Sequence, residues 1–369
     1  MSVKSYQHQG VKEMPSQAHD PDRVAEMILR GTDAGGKTYV FDEQHDPTKP
    51  TQWWFQESDE GLVLFVVFYT QACRWSRCLA CNLPSTCSKH NVPWRDLLAQ
   101  INFIFNLPEV QEKKMKIRRF IASNNGSVLD QDTFSSMALM HLVVMVNLYF
   151  HNLEVFTVET RPEYVEAPEL DYLARGLSEG DTPTTLELAV GFEAFDEHVR
   201  NDLLFKGLSL EKLERLVASM APYRFRLKCY LMLKPVPGMT REESITDIHN
   251  AITYLTQLSE KHLDSVTGEP LVRINIHVNP TYVAKGTPLE PAFAHGNYKP
   301  PTLRDVALAV LPSEASPLTV FISLYDEGLA VPDGSFRRPG DEVLATLIES
   351  FNSTQDYDFL RRVVELTEP

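Results

Sequence analysis

Between Gly61 and Asn279 the chain alternates strand-like and helix-like segments six times, and this alternation constrains its fold more than any other feature. The first segment, Gly61–Thr70 (GLVLFVVFYT), is a continuous apolar run, as expected of a strand buried on both faces. Val92–Leu107 then reads as a helix, with apolar positions at Leu97, Leu98, Ile101, Ile104 and Phe105. Strand patterns recur at Lys116–Ser123, Leu153–Glu159, Leu186–Glu193, Phe225–Leu233 and Val272–Asn279. The segments between them, Asp130–Phe150, Pro162–Leu173, the stretch up to Met220 and Arg241–Lys261, read as helices. Such a series demands a parallel sheet with right-handed crossovers. Six units suit either an open doubly wound sheet or a partial barrel, and periodicity does not separate the two.

The flanks differ. Residues 1–50 are polar, with one short helical pattern at Asp22–Arg30, and the first ten lack the apolar core of a signal peptide. This predicts a cytoplasmic protein. The longest apolar run, Leu62–Tyr69, is too short to span a membrane. After Pro280 comes a Gly- and Pro-rich stretch, 281–302, then a helix at Leu303–Leu311, a strand at Leu318–Leu324 and a mostly helical 341–367. The expected division is an N-terminal extension (1–60), a main domain (61–311) and a C-terminal extension (312–369). With 35 Lys and Arg against 50 Asp and Glu, the net charge is −15, which opposes non-specific binding to phosphate backbones. The basic cluster Lys113, Lys114, Lys116, Arg118 and Arg119 reads as a solvated helix end and loop.

Four of the five cysteines lie within fifteen residues: Cys73, Cys78, Cys81 and Cys87, with Cys229 alone inside the fifth strand pattern. Thiolates are soft ligands that suit iron–sulfur clusters and zinc. The spacing Cys73-x4-Cys78-x2-Cys81 leaves three readings open. Cys87 completes a four-cysteine structural zinc site; the set holds an iron–sulfur cluster; or the thiols are simply buried. The position directly after the first strand favours a catalytic cluster, because strand C-termini form the working face of parallel α/β folds.

The loop TQACRWSRCLAC with its six βα units resembles the radical S-adenosylmethionine (SAM) superfamily. Further motifs are similar to one branch, that of the Elongator catalytic subunit and the radical SAM subunit of archaeosine synthase. They are SNNGS (Ser123–Ser127), ETRP (Glu159–Pro162), AVGFEAFDEHVRNDLLFKG (Ala189–Gly207), CYLMLKPVPGMTREES (Cys229–Ser244) and VNPTYVAKGTPLEPAFAHGNYKPP (Val278–Pro301). The resemblance implies an α/β fold, a partial (β/α)6 TIM-like barrel with N- and C-terminal extensions. It implies a [4Fe–4S] cluster on Cys73, Cys78 and Cys81 whose fourth iron is chelated by SAM. Two positions depart from the family pattern: the first cysteine gap is x4 rather than x3, and Ala80 stands where an aromatic residue is common, a ring contact that Trp75 is placed to replace.

The resemblance also assigns roles. Asn125, Gly126 and Ser127 form the turn that meets the SAM amino group. Glu159 and Arg161 bind polar groups of SAM or pair with each other. Glu193 accepts from ribose hydroxyls or pairs with Arg200, and Lys234 meets a carboxylate of SAM or substrate. Asn275, His277 and Asn279 alternate along the sixth strand and so share one face. If that face is the barrel interior, Asn275 and His277 line the substrate cavity. Segment 281–301 is long for a simple connection and suits either a lid or binding loop, with Tyr282, His295 and Tyr298 as the expected contacts, or a structural clasp whose exit Pro300 and Pro301 stiffen. Cys87 is expected to be a free thiol and Cys229 a core residue. The implied reaction is reductive cleavage of SAM, fed by a donor such as flavodoxin or ferredoxin, with the 5′-deoxyadenosyl radical abstracting hydrogen from a small molecule or peptide. Modification of a tRNA base with a partner protein is the alternative, and a non-enzymatic metal-binding module is a third.

Overall fold

A computed structural model of the chain describes residues 20–367, so the signal-peptide reading of the first ten residues lies outside it. Eight strands form one sheet: β1 (Gln52–Ser58), β2 (Gly61–Val67), β3 (Ile117–Ser123), β4 (Val155–Glu159), β5 (Thr185–Glu193), β6 (Arg226–Leu233), β7 (Arg273–Pro280) and β8 (Thr319–Ile322). The helices are α1 (Pro21–Ala34), α2 (Trp94–Asn106), α3 (Pro108–Lys113), α4 (Ser136–Tyr149), α5 (Ala167–Ser178), α6 (Leu210–Met220), α7 (Arg241–Ser259), α8 (Leu289–Ala294), α9 (Leu303–Val310), α10 (Glu342–Thr354) and α11 (Asp358–Leu366). None of them is long and apolar enough to cross a membrane.

Strand order in space is strand order in sequence, β1 to β8. β1 and β2 form an antiparallel hairpin, and every later neighbour is parallel. This order resolves the ambiguity that periodicity leaves. A doubly wound sheet reverses its order at a switch point, whereas a sheet that never reverses winds one way round. The result is an open half-barrel, expected from the six βα units β2 to β7, with one strand added at each end. β1 comes from the stretch read as N-terminal extension and β8 from the C-terminal one.

The pleat sorts the side chains. Leu64, Phe120, Phe156, Leu188, Leu227, Cys229 and Ile276 point outward and are buried under the helices. Arg119, Thr157, Glu187, Lys228 and Asn275 point inward, as their mutual hydrogen bonds require. A closed barrel fills its interior with branched apolar layers; this one is lined with polar groups. Two readings of the sequence are corrected here. Arg119 is not part of a solvated basic run: alternation along β3 turns it into the barrel, where it pairs with Glu187 at 2.6 Å and with Glu60. The long helix begins at Ser136 rather than Asp130, because residues 130–134 form a tight turn and Ser135 caps the helix through Met137 N–H.

At the barrel floor Glu187, fully buried, accepts from Arg119 (2.6 Å), Thr157 (2.9 Å) and Asn275 (2.6 Å), with the Lys228 ammonium 3.3 Å away. Burial alone would raise this carboxyl, but Lys228 and Arg119 hold it down at about 2.

Candidate active site at the mouth of the half-barrel

The cysteine loop leaves β2 and is closed at its base by backbone bonds from Ala72 to Ser88 (2.7 Å) and from Ser88 to Thr70 (3.0 Å). A tight turn joins Cys78 to Cys81 through a 3.1 Å bond. Cys73, Cys78 and Cys81 are partly exposed, whereas Cys87 is buried with its Sγ against the carbonyls of Leu83 and Asn124. Burial pushes the Cys78 thiol up and the Cys81 thiol up to about 12, against the pull of Lys206 and Arg161 on Cys78 and of Lys37 on Cys81. Among the described residues no three His, Cys, Asp or Glu side chains are drawn together as a preformed metal site. Three thiols on one loop with three cations beside them still fit an iron–sulfur cluster, whose thiolate ligands bring net negative charge.

The turn after β3 packs directly on this loop. Asn125 sits in left-handed backbone (φ 55°) and donates to Thr86 Oγ1 at 2.8 Å. Ser127 Oγ accepts from the Arg161 N–H at 3.1 Å. A Cβ on Gly126 would lie 3.3 Å from the Cys73 Cα and Cβ. Gly126 therefore lets the turn approach the first cysteine, and a larger residue there would displace the cysteine loop as well as any ligand.

Around the mouth the two ion pairs that the sequence offers as alternatives, Glu159 with Arg161 and Glu193 with Arg200, do not form. Glu159 does not bind Arg161; it accepts from Ser123 and from the Tyr230 hydroxyl at 2.5 Å, and burial raises its pKa. Arg161 pairs with Glu163 (2.5 Å), donates to the Lys206 carbonyl (2.9 Å) and lies over the Trp75 ring at 4.6 Å. Trp75 is held in turn by its Nε1 bond to the Phe205 carbonyl (2.7 Å) and by Gly207, where any Cβ would strike the indole. Glu193 pairs not with Arg200 but with Lys206, at 2.8 Å, and the pair lies over Gly191, where a Cβ would meet both groups. A β-bulge between Gly191 and Glu193 re-aims Glu193, whose φ is 69°. Arg200 faces away from the cavity. It is fully buried in the π-helical turn His198–Leu203 and donates to the carbonyls of Leu208, Ala194 and Phe195.

Deeper in the barrel His277 stands between the rings of Tyr230 (5.0 Å) and Phe321 (4.8 Å). Burial, aided by Lys228, pushes its pKa down to about 3, so the ring is neutral, and Nε2 has no hydrogen-bond partner. Asn275 is committed to Glu187 below it. Tyr282 donates to Glu327 at 2.5 Å, a glutamate that burial raises to about 7. His295 is exposed and bonded to its own helix at Pro291, outside the cavity. Tyr298 is buried with its hydroxyl on the Lys234 carbonyl (2.8 Å), while the Lys234 ammonium lies 5.6 Å above the ring. Val283, Leu289 and Tyr298 pack against Ala80 and Leu204, so segment 281–301 clasps the cysteine loop.

Most of the non-glycine residues in left-handed backbone are at this mouth: Ser76, Asn125, Glu193, Phe205, Lys234 and Glu327. Such strain persists where surrounding structure over-determines it, and it gathers at functional sites. Sequence reasoning missed Tyr230, Lys228 and Glu187, which strand parity along β5 and β6 carries. It also missed Lys37, Lys206 and Glu327, which come from irregular segments with no period to read.

No protein-family model matches the chain. It is 26% identical over 249 residues to archaeosine synthase subunit beta of Methanosarcina acetivorans, covering 65% of this chain and 63% of the relative. The Thermococcus kodakarensis protein of the same name is 22% identical over 326 residues, 84% of this chain and 92% of the relative. An uncharacterized Methanocaldococcus jannaschii protein is 22% identical over 85% of this chain and 84% of its own length. Among solved structures, the Elp3 of Methanocaldococcus infernus aligns with a TM-score of 0.45 at 14% identity, over 70% of this chain and 59% of that one. The chain is thus similar in sequence to archaeosine synthase beta subunits, and it carries three cysteines on the loop after its first parallel strand.

Proposed function

We propose that the chain is a radical SAM enzyme holding a [4Fe–4S] cluster on Cys73, Cys78 and Cys81. The observation that carries this reading is the placement of three thiols at the end of the first parallel strand, with Lys37, Arg161 and Lys206 beside them. When bound, the cluster and SAM supply reductive cleavage of a carbon–sulfur bond and, through it, hydrogen abstraction from substrate. The chain's own residues bind, orient and exclude water. The turn Asn125–Ser127 and the ends of β4, β5 and β6, with Glu159, Arg161, Glu193 and Lys234, surround the SAM position. The Lys206 ammonium, 2.8 Å away, orients the Glu193 carboxylate as an acceptor. The clasp 281–301 closes the loop side against water. Anaerobically reconstituted, reduced protein is expected to cleave SAM to 5′-deoxyadenosine and methionine, slowly even without substrate. Purified protein carrying tight stoichiometric zinc and inert toward SAM would overturn the reading.

The substrate lies, on this reading, between His277, Tyr230, Glu159, Tyr282 and Glu327. A neutral His Nε2 and two half-buried carboxyls suit a small polar molecule or peptide that offers N–H groups, and the net charge of −15 favours such a substrate over nucleic acid. Because Glu327 changes charge near pH 7, kcat/KM for an N–H-bearing substrate should rise with pH through about 7. Glu327→Gln should flatten that profile and raise KM roughly tenfold or more, the worth of a hydrogen bond to a charged group. An unaltered profile would remove Glu327 from the site. The raised value also carries a sign for stability. The folded state keeps a proton that the unfolded chain, with its ordinary value of 4.5, has already lost. Glu327 therefore stabilises fully below pH 4.5 and loses that contribution as pH rises through about 7.

A second reading, modification of a tRNA base with a partner subunit, is favoured by the two relatives named archaeosine synthase subunit beta. Gel-shift measurements at low and moderate salt divide the two: sub-micromolar tRNA binding with a steep salt slope supports tRNA, and its absence supports the small substrate. A flavodoxin- or ferredoxin-type electron donor and a cytoplasmic setting complete the proposal.

A further inference from the structure

Beyond the cysteines, one side chain from outside the barrel is built into their loop. We propose that Lys37 is a positioning residue for the cluster: from the N-terminal segment it pins the Cys78–Cys81 turn and places one positive charge beside the thiolates. The inference rests on the radical SAM reading above. An ammonium has three N–H donors, and all three of Lys37 are used on this turn. Nζ donates to the carbonyls of Cys78 (2.6 Å), Leu79 (3.0 Å) and Cys81 (2.5 Å). Lys37 is only 8% exposed, and it is brought there by close packing rather than by a flexible reach. Gly31 and Gly35, one turn apart at the end of α1, abut the loop backbone. A Cβ on Gly31 would strike the Trp75 carbonyl, and one on Gly35 would come within 2.8 Å of the Arg77 carbonyl. Beyond Lys37 the chain stays stitched to both sides of the mouth. Thr38 N–H bonds the Gly286 carbonyl of the clasp (2.9 Å), and Asp42 N–H bonds the Cys87 carbonyl (3.1 Å). Val24, Ile28 and Phe41 pack with Ala72 and Cys87 beneath.

A buried ammonium costs desolvation, which its three carbonyl bonds offset in part. Two of those carbonyls belong to Cys78 and Cys81 themselves, so the charge sits on the turn that carries both thiols. A cation fixed beside a thiolate-ligated cluster favours the more negative, reduced state, since net charge and hydrogen bonding near the sulfurs set cluster potentials. Lys37 thus joins a mechanical role to an electrostatic one.

Two neutral variants separate these roles. Lys37→Met removes charge and donors; Lys37→Gln removes the charge and keeps an N–H-bearing tip. In the metal-free protein, iodoacetamide labelling mapped by mass spectrometry should run at least about tenfold faster at Cys78 and Cys81 in Lys37→Met, with buried Cys229 as the internal control. In reconstituted protein, an EPR-monitored redox titration should place the midpoint of both variants lower, by about 59 mV for a tenfold change in the one-electron equilibrium. Labelling rates and midpoints equal to those of the unaltered protein would overturn the proposal. If Lys37→Met exposes Cys229, the fold has opened and Lys37→Gln decides: a lowered midpoint with Cys229 protected supports the role, and an unchanged midpoint on an intact cluster defeats it. Failure of the unaltered protein to take up a cluster would defeat the proposed function instead, while the labelling comparison would still decide whether Lys37 pins the turn.

Discussion

Replacing Cys73, Cys78 or Cys81 by alanine is expected to abolish the brown, oxygen-sensitive chromophore and the bound iron, whereas Cys87→Ala should keep both. The difference follows from where the four thiols lie. The first three are partly exposed on the loop that borders the mouth. Cys87 is buried between Ala72 and the N-terminal segment, with its sulfur against the Leu83 and Asn124 carbonyls. Thiolate ligands are needed one to an iron, so loss of one of three should fail outright rather than by degrees. Iron and sulfide assays on anaerobically purified variants read the result. Loss of iron in Cys87→Ala, with zinc in its place, would make the loop a four-cysteine structural site.

Glu187→Leu should cost about 3–5 kcal/mol of stability, the range for breaking a buried ion pair from one side. The substitution leaves Lys228 without its carboxylate partner and deprives Arg119, Thr157 and Asn275 of a shared acceptor. Arg119 retains Glu60, which also holds Arg226, so the basic side of the network is not wholly stranded. Urea unfolding of the metal-free protein measures the loss, and a change below about 1 kcal/mol would mean that the barrel floor relaxes or hydrates around the gap. The pH dependence has a definite sign. Lys228 and Arg119 hold Glu187 at about 2, below its ordinary 4.5. Its contribution is therefore complete above pH 4.5 and is lost as pH falls through about 2. Glu187→Leu should narrow the gap to the unaltered protein as the medium is acidified.

Buried apolar runs made six of the eight strands legible, and Leu318–Leu324 announced a seventh. β1 was not legible, because QWWFQES is half-exposed on both faces and follows a polar stretch. Parity along β7 put Asn275, His277 and Asn279 on one face correctly, but it did not say that Asn275 would be consumed by Glu187 while His277 kept a free nitrogen. The ion pairs near in sequence that stood as alternatives for Glu159 and Glu193 do not form, because the folded chain offers Tyr230, 71 residues from Glu159, and Lys206, placed by the π-helical turn. A period along a strand tells direction; it does not tell which irregular segment will return over the mouth.

Among the described residues no strand lies beyond the outer edge of β8, yet its backbone is not bare. The Asn352 amide bonds both N–H and C=O of Ile322 (2.8 Å each), and the Gln355 amide does the same for Val320 (3.0 and 2.9 Å). Two side chains at the end of α10 thus imitate a ninth strand. An unsatisfied edge invites another chain to add to the sheet; an edge answered by amides does not. The half-barrel is thereby free to stay open: it needs neither closure onto β1 nor a second molecule to satisfy its last strand. The end of α10 thus does for the sheet edge what a neighbouring strand would do, with four hydrogen bonds from two amides.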